Sequence, residues 1–162
     1  MVDMMNALVT FQDIWDNKPI STMKGLIHKD ITLYTDRDTG IRRWTYLIID
    51  NDEIKAIAVF GPTDPLNGVA ALQVGWAVSP PHRGKGLAKK LVRCAIAELD
   101  NGFRKAGSPM FYVEASVLDE NEASISVAKS VFGEPVEAGK DERTGKPLQL
   151  FRTLKGKRPF EA

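Results

Sequence analysis

The stretch VGWAVSPPHRGKGLAKKLV, residues 74–92, constrains this chain more than any other. An apolar, strand-like run stops at Ser79-Pro80-Pro81, and Arg83-Gly84-Lys85-Gly86 follows. An amphipathic helix then begins. Proline has no N–H, so a strand ladder cannot continue through Pro80 and Pro81. A helix start exposes unpaired N–H groups and carries partial positive charge. Gly84 and Gly86 lack a Cβ, so the backbone there can turn left-handed and approach a ligand closely. Arg83 and Lys85 add charge. The segment predicts a strand–loop–helix unit that holds an anion on backbone amides. The plainer alternative is a connection whose glycines serve only the turn. No Gly-Lys-Ser/Thr follows at Walker spacing, and the third glycine of a dinucleotide fingerprint is missing.

Any such anion site must be local, because 22 Lys and Arg balance 21 Asp and Glu to a net charge of +1. No global field recruits nucleic acid or an anionic membrane. No apolar run approaches the roughly 20 residues that a membrane helix needs. The 162 residues suit one domain, 1–162. The single cysteine, Cys94, excludes an intramolecular disulfide. With two histidines besides, a Cys/His zinc site is not expected. The N-terminus carries Asp3 and no leading basic residues, unlike a signal peptide. A reducing, cytoplasmic setting is the expectation.

Residues 10–29 read as one or two short helices broken near Lys18-Pro19, with Thr10 and Ser21 as N-caps. Two strands follow around Asp38-Thr39-Gly40, and a third covers 54–61. GPTDPLNG, 61–68, reads as a loop, and a fourth strand spans 71–79. A long helix is expected over 86–105, with Leu87, Leu91, Ala95, Ile96, Leu99 and Phe103 on one stripe. Lys89, Lys90, Arg93 and Glu98 fall on its other faces. MFYVEASV is a strand, and NEASISVAKSVF a short helix capped by Asn121. Two strands joined through Asp141–Lys146 close the chain as a hairpin over 135–154. Strands followed by alternating helices and strands indicate an α/β or α+β domain with one mixed sheet and flanking helices.

WAVSPPHRGKGLAKKLVRCAI resembles the acyl-CoA-binding motif of the GNAT superfamily of N-acyltransferases. That motif runs from a strand into Gln/Arg-x-x-Gly-x-Gly/Ala and a long helix. Placed on Pro81–Gly86, it has Pro81 at the Gln/Arg position, followed by the Arg-Gly-Lys-Gly-Leu-Ala core. VEASVLDENEASISVAKSVFG resembles the strand–Asn–helix segment flanking the pantetheine arm. The resemblance covers 71–133. It implies a mixed, mostly antiparallel sheet of six to seven strands, splayed to form a cofactor cleft. It also implies acetyl-CoA as cosubstrate, with the diphosphate on the amides of Arg83, Gly84, Lys85, Gly86, Leu87 and Ala88. By the same resemblance the pantetheine is expected along Trp76, Ala77 and Val78, with Asn121 and Ser124 beside it, and the Val78 N–H is expected to polarise the thioester carbonyl.

The implied activity is acetyl transfer to a primary amine of a small molecule, peptide or protein, by a monomer or homodimer. The tyrosine that often serves as acid, seven residues after the motif asparagine, is Ala128 here. Ser124 and Val127 resemble a branch that acetylates protein N-termini without that tyrosine. Glu114 alternates with Val113 and Ala115, which makes it either the base or a salt-bridged strand glutamate. Asn121 is a helix cap or a cofactor contact, or both. His28 is placed at a helix end, His82 in the loop and Cys94 in the core. Two alternatives remain open: a non-catalytic GNAT-like CoA-binding or interaction module, and a nucleotide or phosphometabolite binder.

Overall fold

The computed structural model describes residues 3–36, 42–107 and 110–156. The expected Asp38-Thr39-Gly40 turn and the basic tail beyond Gly156 lie outside the described residues. In chain order the elements are α1 (Met4–Asn17), β1 (Met23–Lys24), β2 (Thr32–Asp36), β3 (Arg43–Asp50), β4 (Glu53–Leu66) and β5 (Val69–Val78). A 3-10 turn (Pro80–His82) leads to α2 (Leu87–Lys105), β6 (Met110–Leu118), α3 (Glu122–Phe132), β7 (Glu137–Lys140) and β8 (Pro147–Gly156). Hydrogen-bonded neighbours follow the order β1-β2-β3-β4-β5-β6-β8-β7, eight strands against the six to seven expected. The β5–β6 pair is parallel, and its ladder ends at Gln73 and Glu114. The chain forms two compact units, 1–61 with 75–99, and 62–74 with 100–162. β4, β5 and α2 each pass from one unit to the other.

In the first unit, Asp3 caps α1 by accepting from the Met5 and Asn6 amides. Thr10, the expected cap, lies inside this helix. The helix stops at Lys18, whose extended backbone is what the following Pro19 demands. Leu8 and Phe11 then pack with Leu47, Ile54, Ile57 and Ala77. Gln12 locks the helix to the next hairpin: its Nε2 donates to the Asp52 carbonyl at 3.0 Å, and its Oε1 accepts from the Ile54 amide at 2.7 Å. That hairpin turns on Asn51 (φ 50°) and Asp52 (φ 62°), a left-handed pair matching the twist of the strands it joins.

No helix forms over 18–31 beyond the end of α1, which corrects the expected second helix, its Ser21 cap and the helix-end position of His28. Gly25 explains part of this. A Cβ there would overlap the His28 carbonyl oxygen, so the loop is tighter than a helix turn. The Glu98 carboxylate supplies the rest. It accepts from the amides of Leu26 (3.0 Å), Ile27 (2.6 Å) and His28 (2.6 Å). Glu98 is therefore not on an outward face of α2; it is 8% exposed, on the side that buries Leu91, Ala95 and Leu99. Burial first, and the Glu98 charge second, hold the Tyr46 hydroxyl far above the ordinary tyrosine range.

In the second unit, β4 continues as a strand through Gly61-Pro62-Thr63-Asp64-Pro65-Leu66, where a loop was expected. Among the described residues the β3 ladder ends at the Trp44–Phe60 pair, short of Pro62 and Pro65 with their missing N–H groups. The hairpin tip is instead Asn67-Gly68, with φ of 51° and 76°. β6 buries Phe111, Val113, Ala115 and Val117 on one face. Phe103 of α2 meets Phe111 edge-on at 4.8 Å, and Phe132 of α3 meets Phe151 of β8 at 6.5 Å. Asp141 orders the final hairpin tip by accepting from the Arg143 amide and the Thr144 hydroxyl. These bonds hold its carboxyl below the usual range.

Glu98→Ala leaves three amides without their acceptor and should lower the unfolding free energy by about 3 kcal/mol, as read by urea denaturation. Glu98→Gln keeps an acceptor oxygen and should cost about 1 kcal/mol in the same measurement.

Candidate functional site

The end of β5 is fixed before the loop begins. The Ser79 amide donates to the Lys55 carbonyl at 2.8 Å. Pro80 and Pro81 can donate nothing, so the chain winds into the 3-10 turn. Its bonds run from the His82 amide to the Ser79 carbonyl (2.9 Å) and from the Arg83 amide to the Pro80 carbonyl (3.3 Å). Gly84 (φ 77°) and Gly86 (φ 73°) then take left-handed backbone, where a Cβ would be strained. A Cβ built on either glycine meets no atom within 4 Å, so the space before them is open.

Helix α2 starts at Leu87, and the Lys90 amide bonds the Gly86 carbonyl at 3.1 Å. Among the described residues, no acceptor engages the amides of Gly84, Lys85, Gly86, Leu87 or Ala88. The first turn of α2 carries no acidic residue. By contrast α3 has Asn121 as cap and Glu122 in its first turn. Successive amides over a left-handed bend, at the positive end of a 19-residue helix, suit an anion.

The neighbouring side chains are positioned unevenly. Lys85 and Lys89 are exposed, whereas Lys90 is paired with Asp30. His82 Nε2 lies 2.6 Å from Glu53 Oε1, which ties the 3-10 turn to the start of β4. Arg83 is folded back: its Nε donates to the Val78 carbonyl at 3.2 Å, and its Nη2 approaches Met5 Sδ at 3.3 Å. The motif also fits two residues later than the sequence placed it. Arg83, Gly86 and Ala88 occupy the Gln/Arg, Gly and Gly/Ala positions, while Pro81 lies inside the 3-10 turn. Trp76 and Val78 are half-buried, and Ala77 between them is buried with Leu8 and Phe11.

Trp76 to Ala88 lie on one continuous segment of the first unit. Glu114, Asn121 and Ser124 belong to the second. Asn121 Oδ1 accepts from the Ser124 amide at 3.1 Å, so the cap engages both residues. Ala128 is fully buried, one turn further along α3. Glu114 Oε1 accepts from Arg152 Nε at 2.8 Å, and the Arg152 guanidinium lies 5.9 Å from the centre of the Tyr112 ring. Cys94 is half-buried, and burial above all pushes its thiol up, away from reactivity. Met5, Lys55 and Glu53 went unnoticed in the sequence, because each reaches the site from a distant segment.

Residues 11–131 match the model of the acetyltransferase (GNAT) domain. The chain belongs to the GNAT acetyltransferase family. Solved structures with the same fold include the ribosomal-protein-S5-alanine acetyltransferase of Vibrio fischeri, with a TM-score of 0.57 and 14% identity over 75% of this chain and 64% of that one. RimL, a ribosomal L7/L12 alpha-N-protein acetyltransferase solved with coenzyme A, has a TM-score of 0.54 and 17% identity over 70% of this chain and 62% of that one. A GNAT acetyltransferase of Streptococcus pneumoniae gives 0.53 and 17% over 70% and 67%. The chain spans a little under two thirds of the two ribosomal-protein enzymes. No curated protein matches it.

Within this GNAT chain, Ala128 stands fully buried at the α3 position where the resemblance led one to expect an acid-bearing tyrosine. Ala128→Tyr forces a ring into a fully buried site and should lower stability by at least about 3 kcal/mol in urea unfolding.

Proposed function

We propose that this protein transfers the acetyl group of acetyl-CoA to a primary amine. The carrying observation is the run of unengaged amides from Gly84 to Ala88, with two left-handed glycines facing open space. That donor set fits a diphosphate: several N–H groups, no competing carboxylate and the Lys85 cation alongside. The backbone of Trp76, Ala77 and Val78 would hold the pantetheine arm. Bound acetyl-CoA supplies the reactive thioester. The Val78 N–H is assigned to its carbonyl oxygen, where a prealigned dipole stabilises developing charge without reorganising.

The remaining chemistry concerns protons. The acceptor amine must arrive neutral to attack. Glu114, the candidate base, is held by Arg152 at Oε1, which leaves Oε2 as its one oxygen open to a proton. The α3 position that could carry an acid is the buried Ala128, so proton delivery to the departing sulfur falls to solvent. The acceptor class supported first is the α-amine of a protein or peptide. The absence of a tyrosine at 128 favours it, as do the two ribosomal-protein acetyltransferases of like fold. The same two features of Ala128 and the Glu114–Arg152 pair favour the second reading, a CoA-binding module without turnover. Turnover across a panel of amines, peptides and proteins separates the readings.

Isothermal titration should show acetyl-CoA binding to the folded protein, and no binding at millimolar ligand would reject the proposal. Gly84→Asp places a carboxylate before the free amides on strained backbone, and should weaken binding at least about tenfold.

A further inference from the structure

The Val78–Ser79 peptide is held at both ends. A peptide unit is planar, so fixing its N–H and its C=O fixes its orientation. The Ser79 N–H donates to the Lys55 carbonyl at 2.8 Å, and the Val78 C=O accepts from Arg83 Nε at 3.2 Å. Loop amides would ordinarily serve such a carbonyl, but residues 80 and 81 are both proline and have none to offer. The Arg83 side chain takes their place and closes the ring from 78 to 83. The rigid fork of the guanidinium lets a second donor, Nη2, reach Met5 Sδ at 3.3 Å, which links the closure to α1. α1 also abuts β5 here: a Cβ on Gly75 would come within 2.7 Å of Met4 Sδ. Among the described residues Arg83 has no carboxylate partner, so nothing else accounts for where its guanidinium lies.

We infer that Arg83 is a positioning residue, one that acts on the backbone of Val78 instead of gripping phosphate. It joins the strand end that presents the Val78 N–H to the free amides that begin at Gly84. Its bond restrains the rotation that follows the Val78 Cα, and so the aim of the Val78 amide relative to the cradle. The inference deepens the acetyltransferase reading and rests on it for its kinetic consequence, though not for its structural one. Loss of aim costs rate more than affinity, because the diphosphate amides are untouched.

The test compares Arg83→Met with Arg83→Gln, each first shown to be folded by its thermal transition. Glutamine keeps an N–H that can reach the Val78 carbonyl but carries no charge. In ligand-free Arg83→Met, hydrogen exchange of the Ser79 amide should quicken at least about tenfold, and Arg83→Gln should restore slow exchange. CoA affinity by titration should change less than about threefold in both, while kcat falls about tenfold in the Met variant and recovers in the Gln variant. Unchanged Ser79 exchange in Arg83→Met overturns the inference. A matched tenfold loss of CoA affinity in both variants also overturns it, by making the Arg83 charge a phosphate contact. Wild-type protein that binds no CoA refutes the acetyltransferase reading alone, and Ser79 exchange then decides the role of Arg83.

Discussion

Two missing N–H groups shape the centre of this molecule. Because Pro80 and Pro81 cannot donate, the bond from the Ser79 amide to the Lys55 carbonyl is the last link before the loop. The chain must leave the strand direction there, and it does so as a 3-10 turn. Gly84 and Gly86 then swing it left-handed into α2. Each step follows from the one before, and among the described residues five successive amides, from Gly84 to Ala88, are left without an acceptor. A single donor in place of either proline would give the loop another way to close.

The same chain shows what it does when amides converge and no outside ligand is intended. At Leu26, Ile27 and His28 three N–H groups point together, and Glu98 from α2 fills the site with its own carboxylate. α1 and α3 likewise bring Asp3 and Asn121 to their first amides. The start of α2 receives neither cap nor acid. Gly84, Lys85 and Gly86 are exposed, so open donors there cost little and suit an anion that comes and goes. The contrast between the two amide clusters sets the anion reading above a bare turn.

What the sequence disclosed was the chemistry that lies within a few residues. Arg83-Gly84-Lys85-Gly86, the α2 stripe and the Asn121 cap are all local patterns, and each appears where expected. The segment after Pro19 was illegible because its order comes from Glu98, some 70 residues away in the chain. Glu98 itself was misread by its polarity: a charged residue was assigned outward, whereas three amide donors make its burial affordable. Gly61–Leu66 was misread the other way. Its prolines read as a loop, but among the described residues the β3 ladder stops at Phe60, and Asn67-Gly68 already carried the turn. Arg83 was read as a cation facing a ligand, and in the structure its Nε donates to the Val78 carbonyl; a sequence cannot say whether a cation reaches forward to a ligand or back to a carbonyl.

Ala128 bears on how much catalysis the fold can give without a dedicated acid. Positioned proton transfer contributes typically about 10²–10⁴ in rate, whereas well-oriented partners can gain about 7–11 kcal/mol of barrier. A thiol titrates near 8.5 when unperturbed, so a thiolate leaves tolerably at neutral pH even when only solvent protonates it. Losing the acid is therefore the smaller sacrifice, and losing orientation would be the larger. An active enzyme of this design depends on the rigidity of residues 78–83, where the Ser79 and Arg83 bonds, the 3-10 turn and the His82–Glu53 contact leave the backbone little freedom. The structure concentrates its restraints along that segment, which is where a mechanism relying on geometry more than on proton relay requires them.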